Sequence, residues 1–138
     1  MCAEEIVWED PAAQGTLEGR PAARRYLEDT WTTFPDLSFE LVGAPLLAAD
    51  GQRAAQLWRL RGTMLGPAPA GFAPTGRAVD QIGIDVFAFR GGVLAHYRAL
   101  YDLMEAGRQM GLVPAAGSRA ERAGAFLQRT SMRLRRRP

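Results

Sequence analysis

Leu94, His96, Arg98, Leu100 and Asp102 fall at every second position near the end of a strand-like run. In an extended strand successive side chains point to opposite faces, so these five share one face, with Tyr97, Ala99 and Tyr101 on the other. Charged groups facing a core are costly unless paired. A carboxylate, an imidazole and a guanidinium this close together therefore suggest either a working site or three separately partnered groups. The chemistry they fit is proton transfer. A carboxylate in an apolar pocket becomes a weaker acid by desolvation, and a nearby Arg opposes that shift. Placed there, Asp102 would serve as general base toward a carbon-bound proton flanked by two carbonyls. Arg98 or His96 would donate to the enolate as its charge develops. Asp102 also reads as a helix cap, because Asp102-x-x-Glu105 follows a capping-box pattern. His96 and Arg98 read equally as satisfied polar groups at a rim.

The elements that must position these residues follow from pattern. Residues 19–34 read as a helix, with Pro21 in the first turn and Ala22, Tyr26, Leu27 and Trp31 at helical spacing. Phe34-Pro35-Asp36 ends it. Strands are expected over 37–46, 54–63, 78–89 and 93–101, with Ala49-Asp50-Gly51 and Arg90-Gly91-Gly92 as turns. The stretch 65–76 is too rich in Pro and Gly for regular structure. A short helix over 103–110 is closed by Gly111. A second helical pattern follows Pro114, where Ala123, Phe126, Leu127, Thr130 and Leu134 form an apolar stripe with Arg on the other faces. A helix, an antiparallel sheet of long strands and terminal helices make an α+β fold. The expected division is a domain over 1–114 and an Arg-rich helix or tail over 115–138.

Composition narrows the function classes. A chain of 138 residues fits one domain with a continuous core. No apolar run approaches the roughly 18 residues of a membrane span. The acidic start, Met1 to Glu5, lacks the pattern of a secretory signal, so a cytoplasmic protein with no membrane partner is expected. A single Cys and a single His exclude a disulfide framework and a multi-histidine zinc site. No nucleotide motif is present, so no cofactor is expected. Residues 1–114 carry ten Arg against fourteen Asp and Glu, a balance of −4, whereas 115–138 carry seven Arg and one Glu, a balance of +6. A nucleic-acid-binding body would carry a basic face of its own, so no nucleic-acid partner is expected.

Several stretches, in this order, resemble the SnoaL-like polyketide cyclase family of the NTF2-like superfamily. They are Val7-Trp8-Glu9-Asp10-Pro11 with Gly19-Arg20, Phe34-Pro35-Asp36, Gly62-Thr63 with Gly66, and Pro74-Thr75-Gly76-Arg77. Gly91-Gly92-Val93-Leu94 through Asp102 to Gln109-Met110-Gly111 completes the set. The resemblance implies a conical cavity between a curved sheet and helices, with Asp102 facing it, and often a homodimer through the sheet's outer face. His96 and Arg98 would then line the same wall. The sequence departs from the family at His96, where a Glu is common, and at Met64, where a His is common. It has no His on an earlier strand to partner the aspartate. The helix the family carries before the position of Val7 is not seen in this sequence. Residues 119–136 would fold back and cover the cone in its place, or would form a basic terminus ending in Arg135-Arg136-Arg137.

The function expected from the resemblance is cyclisation of a small hydrophobic polyketide-like molecule in antibiotic-type biosynthesis. It would proceed by aldol or pericyclic ring closure, the pocket holding one folded conformer. Trp31, Trp58, Met64, Phe72 and Phe87 are the candidate substrate-binding residues, and the aromatic ones read equally as core, as does Phe89. Epoxide hydrolysis on the same fold would use Asp102 and Arg98 with Asp80 or Asp85 as second carboxylate. A non-catalytic binding protein is the reading from another class.

Overall fold

The computed structural model describes residues 1–68 and 71–135. Its elements in chain order are β1 (Cys2–Glu9), β2 (Leu17–Glu18), α1 (Arg20–Thr33), β3 (Ser38–Leu47), β4 (Arg53–Thr63), β5 (Ala78–Arg90), β6 (Val93–Leu100), α2 (Leu103–Gln109) and α3 (Arg119–Arg135). Pattern reading located α1 to α3 and β3 to β6 to within a residue or so. It did not anticipate β1, whose sequence CAEEIVWE lacks clean alternation, or the two-residue β2. Arg136 and Arg137 of the terminal run, and Pro69 and Ala70 of the Pro/Gly-rich connection, lie outside the described residues.

The six strands form one sheet in the order β2-β1-β6-β5-β4-β3. All neighbours are antiparallel except β1 and β6, which run parallel with Val7 opposite His96 and Trp8 opposite Tyr97. The β5–β6 hairpin turns at Gly91 and Gly92, both at positive φ (58° and 77°), where residues with a Cβ are strained.

Alternation sorts the sheet's two faces. On β5, Val79, Gln81, Gly83 and Asp85 are buried while Asp80 and Ile82 are exposed. The register carries this across the sheet, with Trp58 of β4 opposite Gly83, Leu60 opposite Gln81, and Tyr97 and Ala99 of β6 opposite Phe87 and Asp85. Gly83 is required here: a Cβ would run into the Trp58 ring. α1 lies over this concave face and starts after Gly19, whose φ is 82° and whose N–H donates to the Ile6 carbonyl at 2.8 Å. Asp36, just past α1, accepts from the Thr63 backbone N–H and hydroxyl at 2.7 Å each, fastening α1's exit to the end of β4. α2 closes one end and is tied to β5 by Gln109, whose Oε1 accepts from the Asp80 N–H at 2.8 Å.

Candidate functional site

Between the concave face and the helices lies a cavity of about 500 Å³. Its wall is mostly apolar and aromatic: Trp8, Trp31, Phe34, Phe39, Trp58 and Phe72, with Leu27 and Leu60 between them. A volume and lining of this kind suit a small organic molecule. Trp8 stacks on Tyr97 with ring centroids 3.7 Å apart, and its indole N–H is buried without a hydrogen-bond partner.

Two carboxyl groups serve this cavity from different positions. Asp10 lies in its wall, just past β1 in the Trp8-Glu9-Asp10-Pro11 stretch. One oxygen, Oδ1, accepts from the Tyr101 hydroxyl at 2.8 Å and from the Ala12 N–H at 2.9 Å. The Tyr26 hydroxyl, from α1, also interacts with this carboxyl. Asp85 lies beneath the floor on β5 and is only 6% exposed. Its Oδ1 accepts from Trp58 Nε1 at 2.7 Å, and the Tyr97 hydroxyl is directed to the same carboxyl. Burial pushes the Asp85 pKa above the usual carboxylate range, and the Trp58 and Tyr97 donors only partly oppose it. Burial foremost, with the neighbouring Asp10 and Asp85 charges, also pushes the phenol pKa values of Tyr26, Tyr97 and Tyr101 upward. All three hydroxyls therefore stay protonated and can donate, two beside Asp10 and one beside Asp85.

The structure divides the residues expected from sequence. Trp31, Trp58 and Phe72 line the cavity as expected. Met64 is fully buried behind it, its sulfur 3.6 Å from the Thr75 hydroxyl, and Phe87 packs on Tyr97 rather than on the cavity. His96 and Arg98 do not line the cavity, which corrects the expected wall. They lie on the convex face, where His96 Nε2 is 2.7 Å and Arg98 Nε 2.5 Å from Glu9 Oε2. Arg98 first, then His96, lowers the Glu9 pKa to about 2. Asp102 is not in the cavity wall either. Its Oδ1 caps α2 by accepting the Glu105 N–H at 2.8 Å. The physical reason is that β6 ends at Leu100. Strand parity does not extend to Asp102, so orienting β6 by that residue reversed its faces. Of the two other carboxylates, Asp85 faces inward and Asp80 outward, paired with Arg59 at 2.6 Å.

Asp10 was within a stretch that carried the family resemblance, yet its type alone gave it no role. The signal for Asp85 was the inward alternation Val79, Gln81, Gly83, Asp85, Phe87, which becomes decisive only once Trp58 is known to lie opposite Gly83.

Comparison with known proteins agrees with this architecture. Residues 1–97 match the model of the SnoaL-like domain, and the chain belongs to that family. Among curated proteins none matches this sequence. A candidate SnoaL-like polyketide cyclase from Jannaschia sp. CCS1 superposes with a TM-score of 0.70 at 21% identity, over 82% of this chain and 75% of its own. IdmH, a candidate polyketide cyclase from Streptomyces antibioticus, gives 0.64 at 20% identity, over 80% and 82%. AclR, a candidate hydroxylase from Streptomyces galilaeus, gives 0.66 at 18% identity, over 99% and 83%. Other similar structures are described as NTF2-like or ketosteroid isomerase-like, so the fold is the NTF2-like α+β cone. Among the described residues no helix is long and apolar enough to cross a membrane.

Proposed function

We propose that this protein is a cofactor-independent enzyme that closes a ring in a small, hydrophobic, polyketide-like molecule, with Asp10 as its base. The observation that carries this reading is one apolar cavity with one carboxyl group in its wall and another buried beneath its floor. Asp10 lies in the cavity wall, where Oδ1 accepts from Tyr101 and Ala12 and the Tyr26 hydroxyl also meets the carboxyl. Asp85 is buried beneath the floor, and that burial raises its pKa.

The Asp10 carboxylate takes a carbon-bound proton from between two carbonyls, and the electron pair moves onto a carbonyl oxygen as an enolate. The Tyr97 hydroxyl, which lies beside Asp85 and in the cavity lining, turns to donate to that enolate oxygen. Donors preset where charge develops are commonly the largest electrostatic contribution to such a step. Asp85 thus acts as a positioning residue, and Tyr97 and Asp10 touch substrate. The enolate carbon then bonds to a distant carbonyl carbon of the same folded molecule, and the new alkoxide takes back the proton from Asp10. The product has unchanged mass, or is lighter by one water if the alcohol is eliminated. The aromatic walls favour the folded conformer in which the two carbons meet.

On the convex face Val42, Leu57, Ile84 and Leu100 lie side by side across β3 to β6. Leu57, Ile82 and Leu100 are 38%, 64% and 48% exposed, which supports packing of a second copy on this face.

The test is mass-resolved turnover of linear polyketide and epoxide substrates by the unaltered protein, Asp10→Asn and Asp102→Asn. The expected result is a product of unchanged mass, or lighter by one water, that Asp102→Asn still forms and Asp10→Asn does not. Loss in Asp102→Asn with retention in Asp10→Asn would overturn the assignment. A gain of one water would move the reading to epoxide hydrolysis, for which two carboxyl groups are also at hand. Tight binding of a ligand without turnover would make the chain a binding protein.

A further inference from the structure

Two glutamines on the concave face are equally buried, each 7% exposed, and only one of them is held by the protein. Gln56 of β4, opposite Asp85, donates from Nε2 to the Val42 and Gly43 carbonyls at 3.2 and 3.3 Å and to the Leu57 carbonyl at 2.7 Å. That use is structural, because β3 departs from regular pairing between Val42 and Leu46 and its freed carbonyls need donors. Gln81 of β5 has no such use. Among the described residues the side-chain amide bonds belong to Gln56 and Gln109, and Gln81 makes none.

Gln81 faces the cavity. Alternation on β5 points it inward with Val79 and Gly83, and it lies in the cavity wall. The Trp8 N–H also lacks a partner, but protein encloses that atom. The Gln81 amide is not enclosed in this way, so what remains of its exposure is to the cavity. Its neighbours give the fold no reason for an amide. Leu60 lies opposite on β4, and Leu103, Ala106 and Met110, from α2 and its end, line the same cavity. Gln109 pins this stretch of β5, since its Oε1 accepts the N–H of the adjacent Asp80 at 2.8 Å. A polar group set among apolar ones is costly without a bond, and a leucine there would bury better.

We infer that Gln81 is a specificity-determining residue, its side-chain amide holding a carbonyl or hydroxyl oxygen of the ligand remote from the one met by Asp10 and Tyr97. An amide both donates and accepts, so it takes either group. Asp85, which lies beside the Tyr97 hydroxyl, is four residues along β5 from Gln81, about 13 Å of strand. A single oxygen function does not serve both places. The ligand class is therefore a molecule with oxygen functions at two separated points on an apolar frame, and Gln81 fixes which way round it lies. A remote contact of this kind also holds the one conformer in which reacting carbons meet. The inference rests on the proposed function only in taking this cavity as the ligand site.

The test uses 2-naphthol and naphthalene-2,6-diol, flat rigid probes that differ by one hydroxyl at the far end, titrated with the full-length protein and followed by their own fluorescence. The diol should bind roughly 3- to 10-fold more tightly, the usual worth of one neutral hydrogen bond. In Gln81→Leu that preference should vanish, while 2-naphthol binds as before or better. The same variant should keep an unchanged or higher denaturant midpoint, because the amide has no protein partner to lose. Equal binding of the two probes, or binding of neither at millimolar concentration, would overturn the inference. So would a preference that survives in Gln81→Leu, or a large drop in that variant's midpoint, which would make Gln81 structural. Neither readout involves turnover, so failure of the catalytic reading leaves this result standing.

Discussion

Asp85 and Glu9 are carboxyl groups on the two faces of one sheet, and their surroundings move them in opposite directions. On the concave face Asp85 is enclosed by Trp58 and Tyr97, and burial makes it a weaker acid. On the convex face Glu9 is held between Arg98 and His96, and those partners make it a much stronger one, near 2. The residue types on the convex face look more catalytic, because they include the only His of the chain. Yet their charges are spent on one another in the open. The concave face holds fewer charges, and there apolar walls give each one more effect. Chemistry is better recognised by what surrounds a group than by the group itself.

The largest effect expected from breaking this contrast is at Asp10. Asp10→Asn should lower turnover by roughly 10²- to 10⁴-fold, the usual contribution of a general base, with ligand binding retained. Steady-state kinetics alongside a binding isotherm checks this, and an equal loss of binding would argue for a role in holding substrate instead.

Asp85→Asn comes next, with turnover falling by about 10²- to 10³-fold if Tyr97 depends on it as an oxyanion donor. The same variant has a signature in stability. Because the folded carboxyl is the weaker acid, the folded state keeps a proton the unfolded chain has released. Stability of the unaltered protein should then fall as pH rises from the ordinary Asp value, about 3.9, through the raised folded one. Denaturant midpoints measured against pH should lose that slope in Asp85→Asn.

Gly83→Ala tests the floor without touching a charge. Its Cβ meets the Trp58 ring, so a loss of about 1–3 kcal/mol from overpacking is expected in chemical denaturation, together with weaker turnover as Trp58 shifts against Asp85.

The smallest effects should be on the convex face. Arg98→Ala and His96→Ala should leave turnover near that of the unaltered protein, and a large loss in either would reopen the convex face as a site. For Glu9 the sign is opposite to that of Asp85. Its stabilising contribution is present above its ordinary value of 4.5 and is lost as pH falls from there toward 2. Glu9→Gln should remove that acid-limb slope while sparing the slope assigned to Asp85.

Much of the fold was legible because its signals are local. Pro21 and the 3.6-residue spacing mark α1, Gly91-Gly92 marks the hairpin, and Asp102 with Glu105 marks α2. β1 was not legible, because it is set by pairing with a strand far along the chain and not by its own mixed sequence. The three aromatic cavity residues Trp31, Trp58 and Phe72 could be named from sequence. Of the carboxyl groups, Asp10 was given no role from sequence and Asp85 stood only as an alternative to Asp80, since Asp10 owes its environment to Tyr26 and Tyr101, and Asp85 owes its to Trp58 and Tyr97. Asp102 misled because the feature that caps α2 also follows the strand's every-second-residue rhythm one step beyond its end.

The parallel pairing of β1 with β6 also sets an order of assembly. Glu9 and its partner Arg98 are 89 residues apart in the chain, so the β1 edge cannot dock until β6 has left the ribosome. Closing so long a span is slow relative to zipping the β3 to β6 meander. The late-docking strand is the one that carries Asp10 into place at its end. If Asp10 is the base proposed above, a nascent or half-folded chain would have walls but no base, and reactivity would switch on only when the last strand arrives.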